Sequence, residues 1–181
     1  MTLCIEVAGA ADLTAIARVN VLAFEEFSGT MAADHWAAMK AQVSLPRVEQ
    51  LAEFAQFFVI RHQGPIVGSI AYCPPGRSRA PIPSAWASIL LLAVAPGHRD
   101  RRLGRTLIDT CMQRARDDRA PAVGLYTSAS MTTAHHLYEQ AGFQRVDELP
   151  PRHGLRYFLY RHTLDAHHHE HKPGTDDERP P

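Results

Sequence analysis

The sequence predicts a single-domain α/β protein with a central mixed β-sheet flanked by helices, and three observations carry that expectation. Residues 89–94 (Ile-Leu-Leu-Leu-Ala-Val) form an unbroken apolar run closed by Pro96 and Gly97. Such a run has the length and uniformity of a central strand buried on both faces. Directly after it the period changes. Leu103, Leu107, Cys111 and Ala115 recur every fourth residue, with Ile108 and Met112 beside them, as on one face of a helix. Along the rest of the chain, strand-length apolar runs and helical patterns alternate in the order β-α-α-β-β-β-α-β-α-β.

Taken in order, residues 3–7 read as a first strand. Asp12 is a candidate N-cap for a helix whose apolar face is Leu13, Ile16, Ala17, Val21 and Phe24. The stretch from Glu25 ends at Gly29. Residues 31–42, with His35 and Trp36, read as a second helix. Pro46 interrupts it, and residues 48–56 read as a further helical piece. Residues 57–61 and 66–73 are strands joined by the turn 62–65. The proline-rich stretch 74–83 is a loop into the central strand. The helix after that strand runs to about Asp118, residues 122–126 are a strand, and residues 127–131 a connection. A helix over 132–141 turns Ala134, Leu137, Tyr138 and Ala141 to one side, and Gly142 stops it. Residues 143–146 and 155–160 are the last strand candidates.

The 181 residues are enough for one sizeable core, here expected over residues 1–164. A hydrophobic share of 45 % and a charged share of 21 % are those of ordinary globular chains. Formal net charge is zero, which argues against general attraction to nucleic acid or anionic lipid. No apolar stretch reaches membrane-span length, and the N-terminus has no signal-peptide pattern, so a cytoplasmic protein without membrane partners is expected. Cys4, Cys73 and Cys111 have no metal-ligand spacing, and each lies in an apolar pattern where a thiol acts as a small hydrophobe. Residues 165–181 change character: histidine-rich, then Pro-Gly and acids, with nothing apolar beyond Ala166 to anchor them. A disordered tail is expected there, and no metal site.

Chemistry concentrates between the central strand and the next helix. This short loop holds Arg99, Arg101, Arg102 and Arg105 with Gly97 and Gly104. A helix N-terminus offers unpaired N–H groups and partial positive charge, and the arginines add formal charge. The ligand expected there is a pyrophosphate or phosphate ester. Gly104 is expected to let the phosphate approach the backbone. Neither the Gly-x-x-x-x-Gly-Lys-Ser/Thr loop nor the Gly-x-Gly-x-x-Gly turn occurs.

The stretch resembles the coenzyme-A loop of the GNAT (Gcn5-related) N-acetyltransferases. That pattern is an apolar strand, Val-x-Pro, then Arg/Gln-x-x-Gly-x-Gly/Ala entering a helix. It reads here as Val94-Ala-Pro96 and Arg99-Asp-Arg-Arg102-Leu-Gly104, with Arg102 where the pattern has its first glycine. Downstream, Ala134-His-His-Leu137-Tyr138-Glu-Gln-Ala-Gly142-Phe143 is similar to the family's Ala-x-x-Leu-Tyr-x-x-x-Gly-Phe segment. With the flanking pattern, the resemblance extends over residues 5–164.

The resemblance implies an acyl-CoA N-acyltransferase-like fold and transfer of an acetyl group from acetyl-CoA to a primary amine by direct attack in a ternary complex. By the same resemblance, Leu92, Ala93 and Val94 hold the acyl arm through their backbone. Arg99, Asp100, Arg101, Arg102, Leu103, Gly104, Arg105 and Thr106 form the phosphate loop. Tyr138 is the general acid, since a phenol stays protonated at neutral pH. Many members carry a glutamate base on the central strand, where this chain has Ser88 and Ile89. His35, Glu25 and Glu26 are the candidates for an alternative base, with a water chain to solvent as the other route. The same three are the acceptor-side candidates, and the acids there, with Asp34, favour a cationic amine. Met131 replaces the asparagine of the second motif. The acceptor is expected to be a small-molecule or protein amine, and the protein a monomer or homodimer. The alternative from another class is a non-catalytic acyl-CoA-binding or sensing module, suggested by the missing glutamate and asparagine.

Overall fold

The computed structural model describes residues 4–99, 101–152 and 154–164. The histidine-rich tail expected from residue 165, and Leu3 of the first strand, lie outside the described residues. The elements are β1 (Cys4–Val7), α1 (Leu13–Phe24), α2 (Ala33–Ala41), α3 (Leu45–Ala52), β2 (Gln56–Arg61), β3 (Ile66–Cys73), β4 (Ala87–Val94), α4 (Leu103–Asp117), β5 (Ala122–Ser128), α5 (Thr132–Gln140), β6 (Gln144–Arg152) and β7 (Leu155–Thr163). Seven strands form one sheet in the order β1-β2-β3-β4-β5-β7-β6. Every pairing is antiparallel except β4 with β5, so the sheet is mixed as expected.

Each face of the sheet is covered by helices the sequence pattern marks as amphipathic. On one face, Leu103, Leu107, Ile108, Cys111 and Met112 of α4 and Tyr138 of α5 pack on Phe58, Ile70, Val123 and Leu125. On the other, Ile16, Ala17 and Val19 of α1 and Val48 and Leu51 of α3 cover Phe57, Val59, Ala71 and Ala93. A third cluster, Ile82, Leu149, Tyr157 and Leu159 with Trp86, fixes the proline-rich loop against the far half of the sheet.

Several local expectations are revised, each for a physical reason. α3 begins before Pro46, because the first turn of a helix has no use for the N–H that proline lacks. It ends at Ala52, and Gln56 belongs to β2. Asp12 makes no side-chain cap to α1. Its carboxylate accepts from Gly9 N–H (3.0 Å) and pairs with Arg61 (2.7 Å), which also pairs with Glu6. These contacts hold the Asp12 carboxyl below its ordinary range, the Arg61 hydrogen bond first among them. β6 continues through Pro150 and Pro151, which an edge strand tolerates because one side of its ladder faces no partner. Cys73 and Cys111 are buried as expected, but Cys4 is exposed on the edge strand β1. Gly142 ends α5 with φ +88°, and Phe143 N–H returns to Tyr138 O at 3.0 Å.

Candidate active site

The central strand is where the sheet departs from regularity. β4 and β5 pair only through Ala87–Val123 and Ser88–Gly124, and the two strands then diverge. Leu90, Leu91, Leu92 and Val94 are therefore half-buried, not covered on both faces as the apolar run alone suggests. On its other edge β4 is bulged: Ala71 faces Leu90 and Ser69 faces Ala93, so Leu91 and Leu92 share one partner, Ile70. Leu91 takes a left-handed φ of +50° to make this possible, a strained conformation for a side chain branched beyond Cβ.

The bulge sets which backbone groups face the gap. Ala95 N–H donates to Val67 O at 2.8 Å, toward β3. Alternation along a strand then turns the N–H and C=O of Val94 to the opposite edge, toward the gap. Val94 is one of the three strand residues that the resemblance assigns to the acyl arm.

The gap opens into a cavity of about 280 Å³. One side is made of Leu92 on β4 with Met131, Ala134 and Tyr138 near and on α5. The other is made by α1 to α3 and the ends of β5 to β7, including Phe24, Val43, Arg47, Tyr126, Arg152 and Tyr157. Tyr138 is 8 % exposed, wedged between Phe143 and Tyr160 at ring separations of 6.1 and 6.3 Å. Burial pushes its phenol well above the ordinary tyrosine range, and no hydrogen bond occupies its hydroxyl among the described residues. It thus reaches the cavity as a protonated donor.

At the mouth of the gap, a short turn over Pro96–His98 leads to α4. The first intrahelical bond is Thr106 N–H to Arg102 O, 3.0 Å, which leaves the N–H groups of Leu103, Gly104 and Arg105 ahead of it. Among the described residues, no side chain caps this end. Arg102 adopts φ +57°, the left-handed region. That is why glycine suits the position in the family pattern, and Arg102 reaches the same backbone with its exposed side chain turned outward. Arg101 is also exposed, and neither arginine has a carboxylate within 4.0 Å among the described residues.

The other loop arginines are engaged within the protein. Arg99 pairs with Glu26 at 2.6 Å and donates to Ala23 O at 3.0 Å, tying the loop to the end of α1. Arg105 pairs with Asp109 and donates to Gln140 O at 2.8 Å. Asp100 lies outside the described residues. Gly104 has a different reason from the one the sequence suggests: a Cβ there would lie 3.1 Å from Leu137 Cδ2 and 3.9 Å from Leu92 Cδ2. It permits close packing of α4 on α5 and β4.

The acceptor-side residues expected from sequence do not gather at the cavity. Glu25 and Glu26 are exposed, and Glu26 is taken by Arg99. His35 lies under the β6–β7 turn, where a Cβ on Gly154 would collide with its ring. None of the three, nor Asp34, lines the cavity, whose walls include Gln42, Thr127 and Ser128 instead. Among the described residues, no aspartate, glutamate, histidine or lysine lines it. Ser88, at the position of the family's glutamate, is buried and accepts from Ser78 Oγ at 2.9 Å. Among the described residues, no group of three or more acids, histidines or cysteines is placed to hold a metal ion, and no helix is long and apolar enough to cross a membrane.

The sequence model of the acetyltransferase (GNAT) family matches residues 22–143, which include β4, the loop, α4 and α5. The chain belongs to the GNAT family. Solved structures agree in fold at low sequence identity. The PaiA N-acetyltransferase of Thermoplasma acidophilum in complex with coenzyme A superposes with a TM-score of 0.71 at 14 % identity, covering 91 % of this chain and 100 % of that one. The ribosomal-protein-S18-alanine N-acetyltransferase of Escherichia coli gives 0.63 at 16 %, covering 92 % and 98 %. YncA of Salmonella typhimurium, with its cofactor acetyl-CoA, gives 0.64 at 19 %, covering 92 % and 96 %. No curated protein sequence matches.

Proposed function

We propose that this GNAT protein transfers an acetyl group from acetyl-CoA to an amine by direct attack within a ternary complex. The observation that carries the reading is the gap between β4 and β5, with a helix N-terminus that no described side chain caps at its mouth and a protonated phenol on its wall. The residues fit the coenzyme. The N–H groups of Leu103, Gly104 and Arg105 suit a pyrophosphate, with Arg101 and Arg102 supplying charge beside them. Leu92, Ala93 and Val94 offer a strand edge to the acyl arm. When bound, acetyl-CoA supplies an activated acyl carbon.

The chain's own groups meet the demands of the transfer. Val94 N–H, turned toward the gap, is the donor for the developing oxyanion. The acceptor nitrogen forms the new C–N bond as the C–S bond breaks, and Tyr138 Oη gives its proton to the departing sulfur. Among the described residues no base lines the cavity, so the amine enters neutral. The surplus proton its nitrogen carries after attack leaves through water, and the Tyr138 phenol regains its own proton from water. The cysteines are unsuited to an acyl-enzyme route: burial raises the Cys73 and Cys111 thiols, and neither lines the cavity.

The absence of a base among the described lining residues also favours a second reading, a non-catalytic acyl-CoA-binding module. Turnover separates the two. Thiol release from acetyl-CoA is measured across a panel of amines against a control without amine. Amine-dependent release supports the enzyme; coenzyme binding without release on any amine supports the module.

A further inference from the structure

The acceptor half of the cavity has a chemical character that the family assignment does not supply. Its body is apolar and aromatic: Phe24, Met39 and Val43 face Tyr126 and Tyr157, whose rings lie 6.3 Å apart. Among the described residues, the formal charges on the wall are two arginines, Arg47 and Arg152, with no acid to balance them. Neither has a carboxylate within 4.0 Å among the described residues. Arg152 lies beside the aromatic wall, its guanidinium carbon 5.6 Å from the Tyr126 ring centre. Arg47 donates to Gln50 Oε1 at 2.5 Å, which leaves further N–H groups on its guanidinium.

Arg47 is also badly placed for stability. It stands in the first turn of α3, where the helix dipole disfavours a cation. It interrupts the spacing Met39, Val43, Arg47, Leu51, the other three of which are buried apolar residues. A positive charge held at a helix N-terminus against an apolar cavity is arranged for an anion. An ammonium group would meet only like charge there, which favours the neutral, nucleophilic form of an amine. A site without a base gains from that. The volume of about 280 Å³ suits a small molecule rather than a polypeptide segment.

We infer that the acceptor is a small amine bearing a carboxylate and an apolar body, an α-amino acid with an aliphatic or aromatic side chain, with Arg47 and Arg152 as the carboxylate-recognising residues. This rests on the proposed acetyl transfer and replaces the cationic amine expected from Glu25, Glu26 and Asp34.

The test compares four acceptors with acetyl-CoA: L-phenylalanine, L-phenylalaninamide, phenethylamine and spermidine. It is run on the wild type and on Arg47→Gln and Arg152→Gln. The acid should exceed its amide and decarboxylated analogue in kcat/KM, and spermidine should be poorest. In at least one variant the acid-to-amide ratio should fall by roughly 10–100-fold, the size of a lost charged hydrogen bond. Coenzyme-induced thermal stabilisation should persist in both variants. Equal use of the amide, preference for spermidine, or an unchanged ratio in both variants overturns the inference while acetyl transfer stands. Should no amine be turned over, binding of N-acetyl-L-phenylalanine to the CoA complex decides the matter. Arginine-dependent binding keeps the anion site and removes only the catalytic reading; no binding overturns the inference as well.

Discussion

Gly104 offers a sharp test of how the phosphate loop is built, because sequence and structure give it different reasons. If the glycine spares room for a phosphate, any side chain weakens the coenzyme. In the structure its missing Cβ points at Leu137 Cδ2, 3.1 Å away, with Leu92 Cδ2 and Val94 Cγ2 at 3.9 and 4.0 Å. The Gly104→Ala contact is tight only against one flexible leucine terminus. Alanine gains up to about 1 kcal/mol of helix propensity, and displacing Leu137 by a few tenths of an ångström offsets part of it. Net change should stay within about 1 kcal/mol, or roughly 2–4 °C in Tm for a chain of this size. The N–H groups of the turn are untouched, so coenzyme binding should persist. At a concentration a hundredfold above Kd, CoA adds about 2.7 kcal/mol, roughly 5–10 °C in Tm. Differential scanning fluorimetry with and without CoA reads both quantities. Gly104→Asp sets a carboxylate against three apolar side chains and should lower the Tm of the ligand-free protein. A well-folded Ala variant that loses its CoA shift would refute this reasoning and return the phosphate to the Cβ side of Gly104.

Two further outcomes follow from backbone strain and buried phenols. Arg102 holds φ +57°, so Arg102→Gly removes about 1–2 kcal/mol of steric strain and gives back part of it as chain entropy. The variant should melt a few degrees higher by calorimetry, and a lower Tm would contradict the left-handed turn. Burial raises the Tyr138 phenol, while burial and then the bond to Asp118 raise that of Tyr72. The native state therefore keeps these protons when the unfolded chain gives them up. Their stabilising contribution is complete below about pH 10 and is lost as pH rises further. Urea midpoints between pH 8 and 11 should fall only above about pH 10, and Tyr72→Phe should flatten that fall. An unchanged slope in Tyr72→Phe would remove Tyr72 from the effect.

The residues that act through backbone pattern or local motif are legible in the sequence. The apolar run of β4, the four-residue spacing of α4 and the glycine stop after α5 each express a local periodicity or a required dihedral angle. Tyr138 is legible as a candidate because it sits within such a motif, and its side chain lines the cavity. The bulge at Leu91 is not legible: three successive leucines give no sign of which one takes positive φ, since β3 and the start of β5 decide it. The proposed acceptor wall is equally hidden, because Arg47 and Arg152 are 105 positions apart and meet one cavity only through the sheet order. A faint signal exists in Arg47 interrupting the apolar spacing from Met39 to Leu51. The early acids show the opposite limit: Glu26 is near the loop in space, but it pairs with Arg99 and does not line the cavity.

The most direct measurement of the central claim, that the gap is a catalytic centre and Tyr138 its acid, is the turnover number of Tyr138→Phe. The substitution removes one oxygen and keeps the ring between Phe143 and Tyr160. No protein hydrogen bond to that oxygen is found among the described residues, so Tm and CoA affinity should change little. The expected kcat on the best acceptor is roughly 10²–10⁴-fold below wild type, the size of a lost general acid. A wild-type kcat in a variant of unchanged Tm and CoA affinity would contradict the assignment.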